Sequence, residues 1–240
     1  MGASKFIVPV LAAIFACLVA KYFADFFEVS PPSSGGSSII LTSKRSMNID
    51  GLNFPTDIKI LGSMQSLIGG GTRSKWGFRV YAVGIYSNPK LTEYLKKKHL
   101  GGGGSNSMDA NTSSKLSRDF SESHLARTLL LRFHRQVSAS DMADALGEAL
   151  VEKLGKIKSD AFSSFILGMV SKVGGVLEKG ADLYITCKGE KLKVTLAEGK
   201  HADRIVMKGL CPAVFQVYLG DKPVSPQAKE GFQKGFASLS

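Results

Sequence analysis

The spacing of apolar and polar positions changes several times along this chain, and each change marks an element. Residues 76–86 read WGFRVYAVGIY. They are rich in aromatic and β-branched side chains and apolar on both alternating faces in the second half, which predicts a central strand covered on both sides. Just before it, an apolar stretch meets Gly69, Gly70 and Gly71, followed by Thr72 and Arg73. That run predicts a turn in which glycine supplies positive φ or lets another backbone come close. Residues 56–67, with Ile58, Ile60 and Leu61 apolar, predict a further strand, and 39–41 with 47–55 an opening strand pair.

Helical spacing takes over at 89–99, where Leu91, Tyr94 and Leu95 share a face. Residues 125–137 return to a strand pattern. Met142, Ala145, Leu146, Ala149 and Leu150 then line one side of a helix over 141–155, with Ser138 or Ser140 as its cap. A second helix starts near Ser159 and carries the stripe Phe162, Phe165, Ile166, Met169, Val170 and Val173. Residues 182–188 and 191–197 read as strands joined at Gly189, and 204–208 as another. Residues 209–219 read as a helix with Pro212 near its first turn, and Ser225-Pro226 as the cap and first position of a last helix. Hairpins followed by helices, rather than alternating βαβ units, predict the α+β class.

The hydropathy also divides the chain. Residues 1–27 hold a short positive start and the apolar run FIVPVLAAIFACLVA at 6–20. This is the pattern of a secretory or organelle-import leader, plastid import included, either cleaved or retained as a membrane anchor. Residues 28–45 contain PPSSGGSS and read as a flexible linker. Residues 46–240 form the folded domain, interrupted by a mobile Gly/Ser-rich loop at 101–114.

Composition narrows the function. The chain has 240 residues, 44% of them hydrophobic, enough for one good-sized core. The net charge of +11 is spread over scattered lysines, and no nucleic-acid motif accompanies it. The cysteines are Cys17, Cys187 and Cys211; the last two pair only if the fold brings them together. No CxxC spacing or histidine cluster points to a metal, and no motif points to a cofactor. Arg73 stands out, because an arginine at the edge of a buried strand needs an anionic partner if its head turns inward.

Four stretches carry a resemblance: the glycine run with Arg73, YAVGIY at 81–86, DMADALGEALVEKLG at 141–155 and GDKPVSP at 220–226. Together they make residues 46–240 resemble the chalcone isomerase fold family. That family holds isomerases that close a flavonoid ring and non-catalytic relatives that bind fatty acids. The resemblance implies an open-faced sandwich, an antiparallel sheet with helices layered on one face and a cleft between. In the isomerases an arginine steadies a phenolate, a threonine, a tyrosine and an asparagine supply hydrogen bonds, and another polar residue helps choose the substrate. Arg73 matches the arginine. The threonine opening the YAVGIY-like run is Tyr81 here, and ungapped counting puts the others on Leu146, near Ala139, and on Ala213.

Exchanging polar groups for Leu and Ala removes the groups that orient a phenolate and makes the cleft more apolar. One guanidinium, one phenol and apolar walls suit a fatty-acid carboxylate, since Arg offers a planar two-pronged donor to carboxylates. The expected clamp is Arg73 with Tyr81, and the expected wall is Leu146, Phe165, Met169 and Ala213. The first reading is therefore a non-catalytic binder of fatty acids or another small acidic apolar ligand, without nucleic acid and with membrane attachment through the leader. The alternative is an intramolecular lyase of the chalcone isomerase type, with Arg73 as its catalytic residue.

Overall fold

The computed structural model describes residues 41–100, 109–196 and 199–239. The expected leader (1–27), most of the expected linker (28–40) and the first part of the expected loop (101–108) lie outside the described residues.

Eight strands form one antiparallel sheet. Its order is β1 (Leu41–Thr42), β4 (Asp57–Ile60), β5 (Ser63–Lys75), β6 (Phe78–Ser87), β7 (Arg127–Phe133), β10 (Asp182–Lys188), β11 (Lys191–Leu196) and β12 (His201–Val206). As the sequence predicts, β6 is central, and every residue from Tyr81 to Ser87 is buried. Two small ladders pair β2 (Ser46–Ile49) with β3 (Leu52–Pro55) and β8 (Val137–Ser138) with β9 (Val176–Leu177).

The strand expected over 56–67 is two strands. Leu61 and Gly62 both adopt positive φ between Ile60 and Ser63 and reverse the chain. Asp50-Gly51 and Trp76-Gly77 close their hairpins in the same way. Positive φ at both central residues gives a turn whose twist matches the flanking strands. The pairing is anticipated from Asp-Gly but not from Leu-Gly or Trp-Gly.

The helices lie on one face. They are α1 (Pro89–His99), α2 (Ala110–Glu122), α3 (Ala139–Leu154), α4 (Lys156–Ser171), α5 (Leu210–Leu219) and α6 (Pro226–Ala237). Caps fall where short oxygen-bearing side chains stand: Asn88 accepts from the Lys90 amide, Ser138 from Asp141 and Ser225 from Ala228. The loop expected to reach residue 114 ends at Asp109, whose carboxylate caps α2 at the Thr112 amide. Leu116 and Phe120 then bury against α5 and α6, with Phe120 edge-on to Phe215 at 5.6 Å. The polar composition of 109–115 conceals that helix, because its apolar face begins a turn later.

The run Gly69–Gly71 is not a turn. It lies inside β5, and none of the three has positive φ. The reason is steric: a Cβ on Gly69 would stand 2.1 Å from the Gly231 carbonyl, and one on Gly71 2.4 Å from the Gln227 carbonyl carbon. Helix α6 therefore rests directly on strand backbone, with Gly231 and Gly235 on its contacting side. Close approach was the half of the glycine expectation that held.

The opposite face of the sheet carries a smaller core of Ile49, Phe54, Ile58, Ile60, Ala82, Tyr86, Leu130 and Tyr184 beneath the β2–β3 hairpin. Tyr86 Oη donates to the Pro55 carbonyl at 2.8 Å. Arg132 grips Asp182 through Nε and Nη2, each at 2.6 Å, and donates to the Asn53 carbonyl. The two-pronged bond fixes the guanidinium on the sheet, and its bond to the Asn53 carbonyl ties the hairpin there. A disulfide joins Cys187 on β10 to Cys211 on α5, so the fold does bring those two cysteines together.

Candidate functional site

At the end of the β5–β6 ribbon, Arg73 and Tyr81 sit directly opposite each other in the ladder. Arg73 Nη1 donates to Tyr81 Oη at 3.2 Å, and Tyr81 Oη lies 2.8 Å from Tyr218 Oη on α5. Tyr81 is 2% exposed and Tyr218 not at all, whereas Arg73 is half-buried. The three polar groups thus run from the core towards the surface.

The direction of these bonds follows from burial. The Tyr218 hydroxyl has Tyr81 Oη as its one hydrogen-bond partner among the described residues. A buried donor without an acceptor costs about 1–3 kcal/mol, so Tyr218 donates to Tyr81. Arg73 also donates to that oxygen. The Tyr81 proton is then left for an acceptor outside the trio. A guanidinium and a phenol hydroxyl thus stand together at one cavity.

The electrostatics agree. Burial alone would weaken the charge of Arg73, but the oxygens of Tyr81 and Tyr218 and the carboxylate of Glu148 raise its pKa above the ordinary arginine value. Burial, helped by the neighbouring Tyr81, pushes the Tyr218 phenol well above the usual tyrosine range. Around neutral pH Arg73 is therefore a fixed cation and Tyr218 a neutral phenol.

Arg73 and Tyr81 line a cavity of about 290 Å³ together with Lys75, Trp76, Phe78, Val80, Arg135, Gln136, Val137, Asp141, Met142, Asp144, Ala145 and Glu148. The exposed acids of α3 face the basic strand ends across the mouth. The apolar wall is Val80, Val137, Met142 and Ala145.

The four residues expected to form that wall lie elsewhere. Leu146, Met169 and Ala213 are buried in the main core, and Phe165 packs against it, stacked on Phe162 at 6.4 Å. None of them lines the cavity beside Arg73. The apolar helix faces were read correctly, but they are sealed by one another. Tyr218 was missed, although a signal existed: it is the single phenol in a helix buried along nearly its whole length, and a buried hydroxyl needs a partner.

Ala139, the other counted position, is buried at the start of α3. Among the described residues no group of three or more His, Cys, Asp or Glu side chains is placed to hold a metal.

No protein-family model matches the chain. Over 196 residues it is 25% identical to chalcone isomerase-like protein 1 of Humulus lupulus, a match covering 79% of this chain and 89% of that protein. It also superposes on the crystal structure of a fatty-acid binding protein from Arabidopsis thaliana with a TM-score of 0.63 and 22% identity, over 81% of this chain and 98% of that one.

Proposed function

This chain has the chalcone isomerase-like fold, and from that premise we propose that it is a non-catalytic binder of fatty acids or related acidic lipids. The observation carrying the reading is the Arg73–Tyr81–Tyr218 hydrogen-bond chain, whose first two members line a cavity with Val80, Val137, Met142 and Ala145 on its apolar side. A carboxylate placed there takes Arg73 N–H bonds on one side and the Tyr81 proton on the other. Charge-assisted bonds of this kind are about twice as strong as neutral ones. Each methylene lying against Val80, Val137, Met142 or Ala145 adds roughly 0.8 kcal/mol. The Arabidopsis structure of the same fold is that of a fatty-acid binding protein, which supports this ligand class.

Native mass spectrometry of the purified chain tests the reading. Fatty acid should co-purify with the wild type and be lost from Arg73→Leu. Incubation with a 2′-hydroxychalcone separates it from the isomerase alternative. Turnover abolished by Arg73→Leu would establish the enzyme instead.

The N-terminal segment belongs to the same proposal. Residues 6–20 direct the chain into the secretory pathway or an organelle, and the Cys187–Cys211 disulfide supports an oxidising compartment. Peptides from 1–21 in the mature protein would mark a retained anchor, and a new N-terminus between 20 and 32 a cleaved leader.

A further inference from the structure

The turn joining β5 to β6 is the most apolar exposed point near the cavity. Trp76 is 85% exposed and Phe78 65%. Trp76 has φ of 52°, a left-handed conformation that a bulky side chain adopts at a cost and that Asn adopts more cheaply. Among the described residues it belongs to no core cluster, and the Lys75 ammonium lies over its ring, 4.7 Å from the centroid. No packing among the described residues explains an aromatic side chain here.

The surroundings indicate what it meets. From 63 to 87 the two strands and their turn carry Arg73, Lys75 and Arg79 and no acidic residue. Tryptophan and phenylalanine flanked by basic side chains suit the boundary between lipid headgroups and acyl chains, where the rings enter the apolar layer and the cations meet anionic headgroups. The turn also forms the rim of the Arg73 cavity. That cavity, about 290 Å³, is at the small end of the ~300–1,000 Å³ usual for ligand pockets, so a long acyl chain extends out past Trp76 and Phe78.

We propose that the Lys75-Trp76-Gly77-Phe78 turn docks into the surface of an anionic bilayer and opens the Arg73 cavity directly to the acyl layer. This rests on the lipid-binding reading for its purpose but stands on separate residues. The acids that face the turn, Asp141, Asp144 and Glu148, lie on α3 across the cavity mouth and not on the inserting ribbon. Asp50 of the neighbouring hairpin is engaged by Arg79 at 3.0 Å.

The test uses the full chain, because its single tryptophan is Trp76. Mixed with vesicles of phosphatidylcholine and phosphatidylglycerol, Trp76 emission should shift to the blue and be quenched by lipids brominated on their acyl chains. The shift should shrink in high salt or with phosphatidylcholine alone. Phe78→Ser and Lys75→Glu, both at exposed positions, should weaken partitioning about tenfold, with thermal melting confirming the fold. Protein that sediments with vesicles while Trp76 keeps its solvent-exposed emission is attached elsewhere, and the proposal falls. A blue shift that grows with protein concentration without lipid identifies a second copy of the chain as the partner and also overturns it. Arg73→Leu separates the two ideas: it should lose fatty acid, yet its Trp76 should still shift to the blue and be quenched by the brominated lipids. Insertion by a protein that never holds fatty acid would sink the ligand reading alone, and retained fatty acid without insertion would sink docking alone.

Discussion

The phenol oxygens of Tyr218 and Tyr81 lie 2.8 Å apart in a hydrogen bond that joins helix α5 to strand β6 over 137 positions of sequence. The two tyrosines are not equivalent. Removing Tyr81 strands a donor at a fully buried site, whereas removing Tyr218 leaves Tyr81 still bonded to Arg73. Tyr81→Phe should therefore cost about 1–3 kcal/mol of stability and Tyr218→Phe about 1 kcal/mol or less, read from denaturant unfolding. Both should weaken carboxylate binding. A larger loss for Tyr218→Phe than for Tyr81→Phe would show that the donor runs the other way.

Contact between α6 and β5 allows no methyl group. Cβ atoms placed on Gly69 or Gly231 fall about 2 Å from facing backbone carbonyls, at 2.1 and 1.9 Å respectively. Gly69→Ala and Gly231→Ala should each destabilise by about 3 kcal/mol, since the obstacle is main chain and has no rotamer to change. Gly168, with nothing near its Cβ position, is the control: Gly168→Ala should be neutral or stabilising, by up to about 1 kcal/mol. Thermal melting of the three variants checks this.

Reducing the disulfide should loosen α5. Cys187 and Cys211 are 24 residues apart. A loop of that size restrains the unfolded chain by roughly 3 kcal/mol. Unfolding with and without reductant should show that loss, and Cys187→Ala with Cys211→Ala should reproduce it. An unchanged midpoint would place the two thiols apart in solution.

His134 gives the stability a pH dependence. Burial, with Arg79 and Lys179 nearby, lowers its pKa, and Asp50 opposes them only in part. Its Nε2 is buried without a hydrogen-bond partner among the described residues. The folded state thus prefers the neutral ring, and the unfolded chain binds the proton more readily. Stability from this group is full above the unfolded value of about 6.5 and declines as pH falls through the folded pKa. Melting temperatures from pH 8 to 5 should fall more steeply for the wild type than for His134→Gln.

Much of the fold was legible because it is written in local periods. β6, the helices at 139–154 and 210–219, and the Ser225-Pro226 cap all follow from neighbours within a few residues. Arg73 was marked by a conflict visible in one dimension, a permanent charge beside a buried strand. Composition misled where a capped helix opened with polar residues, as at Asp109. It misled again where Leu61 took a left-handed turn normally left to asparagine or glycine.

Periodicity states which side of an element is apolar but not what covers it. Leu146, Phe165, Met169 and Ala213 have the right character for a lipid-lined wall, yet the fold spends them on packing helices against one another. Likewise a glycine run announces close approach without naming α6, and the positions of Cys187 and Cys211 do not say whether their sulfurs meet. The alternation of side chains therefore decided the class and the strands, through forces acting over a turn or a ladder rung. Assembly of the sheet and helices alone decided that Tyr218 meets Tyr81 and that the Trp76 turn rims the cavity. Those contacts depend on packing between segments far apart in the chain, for which no local pattern exists.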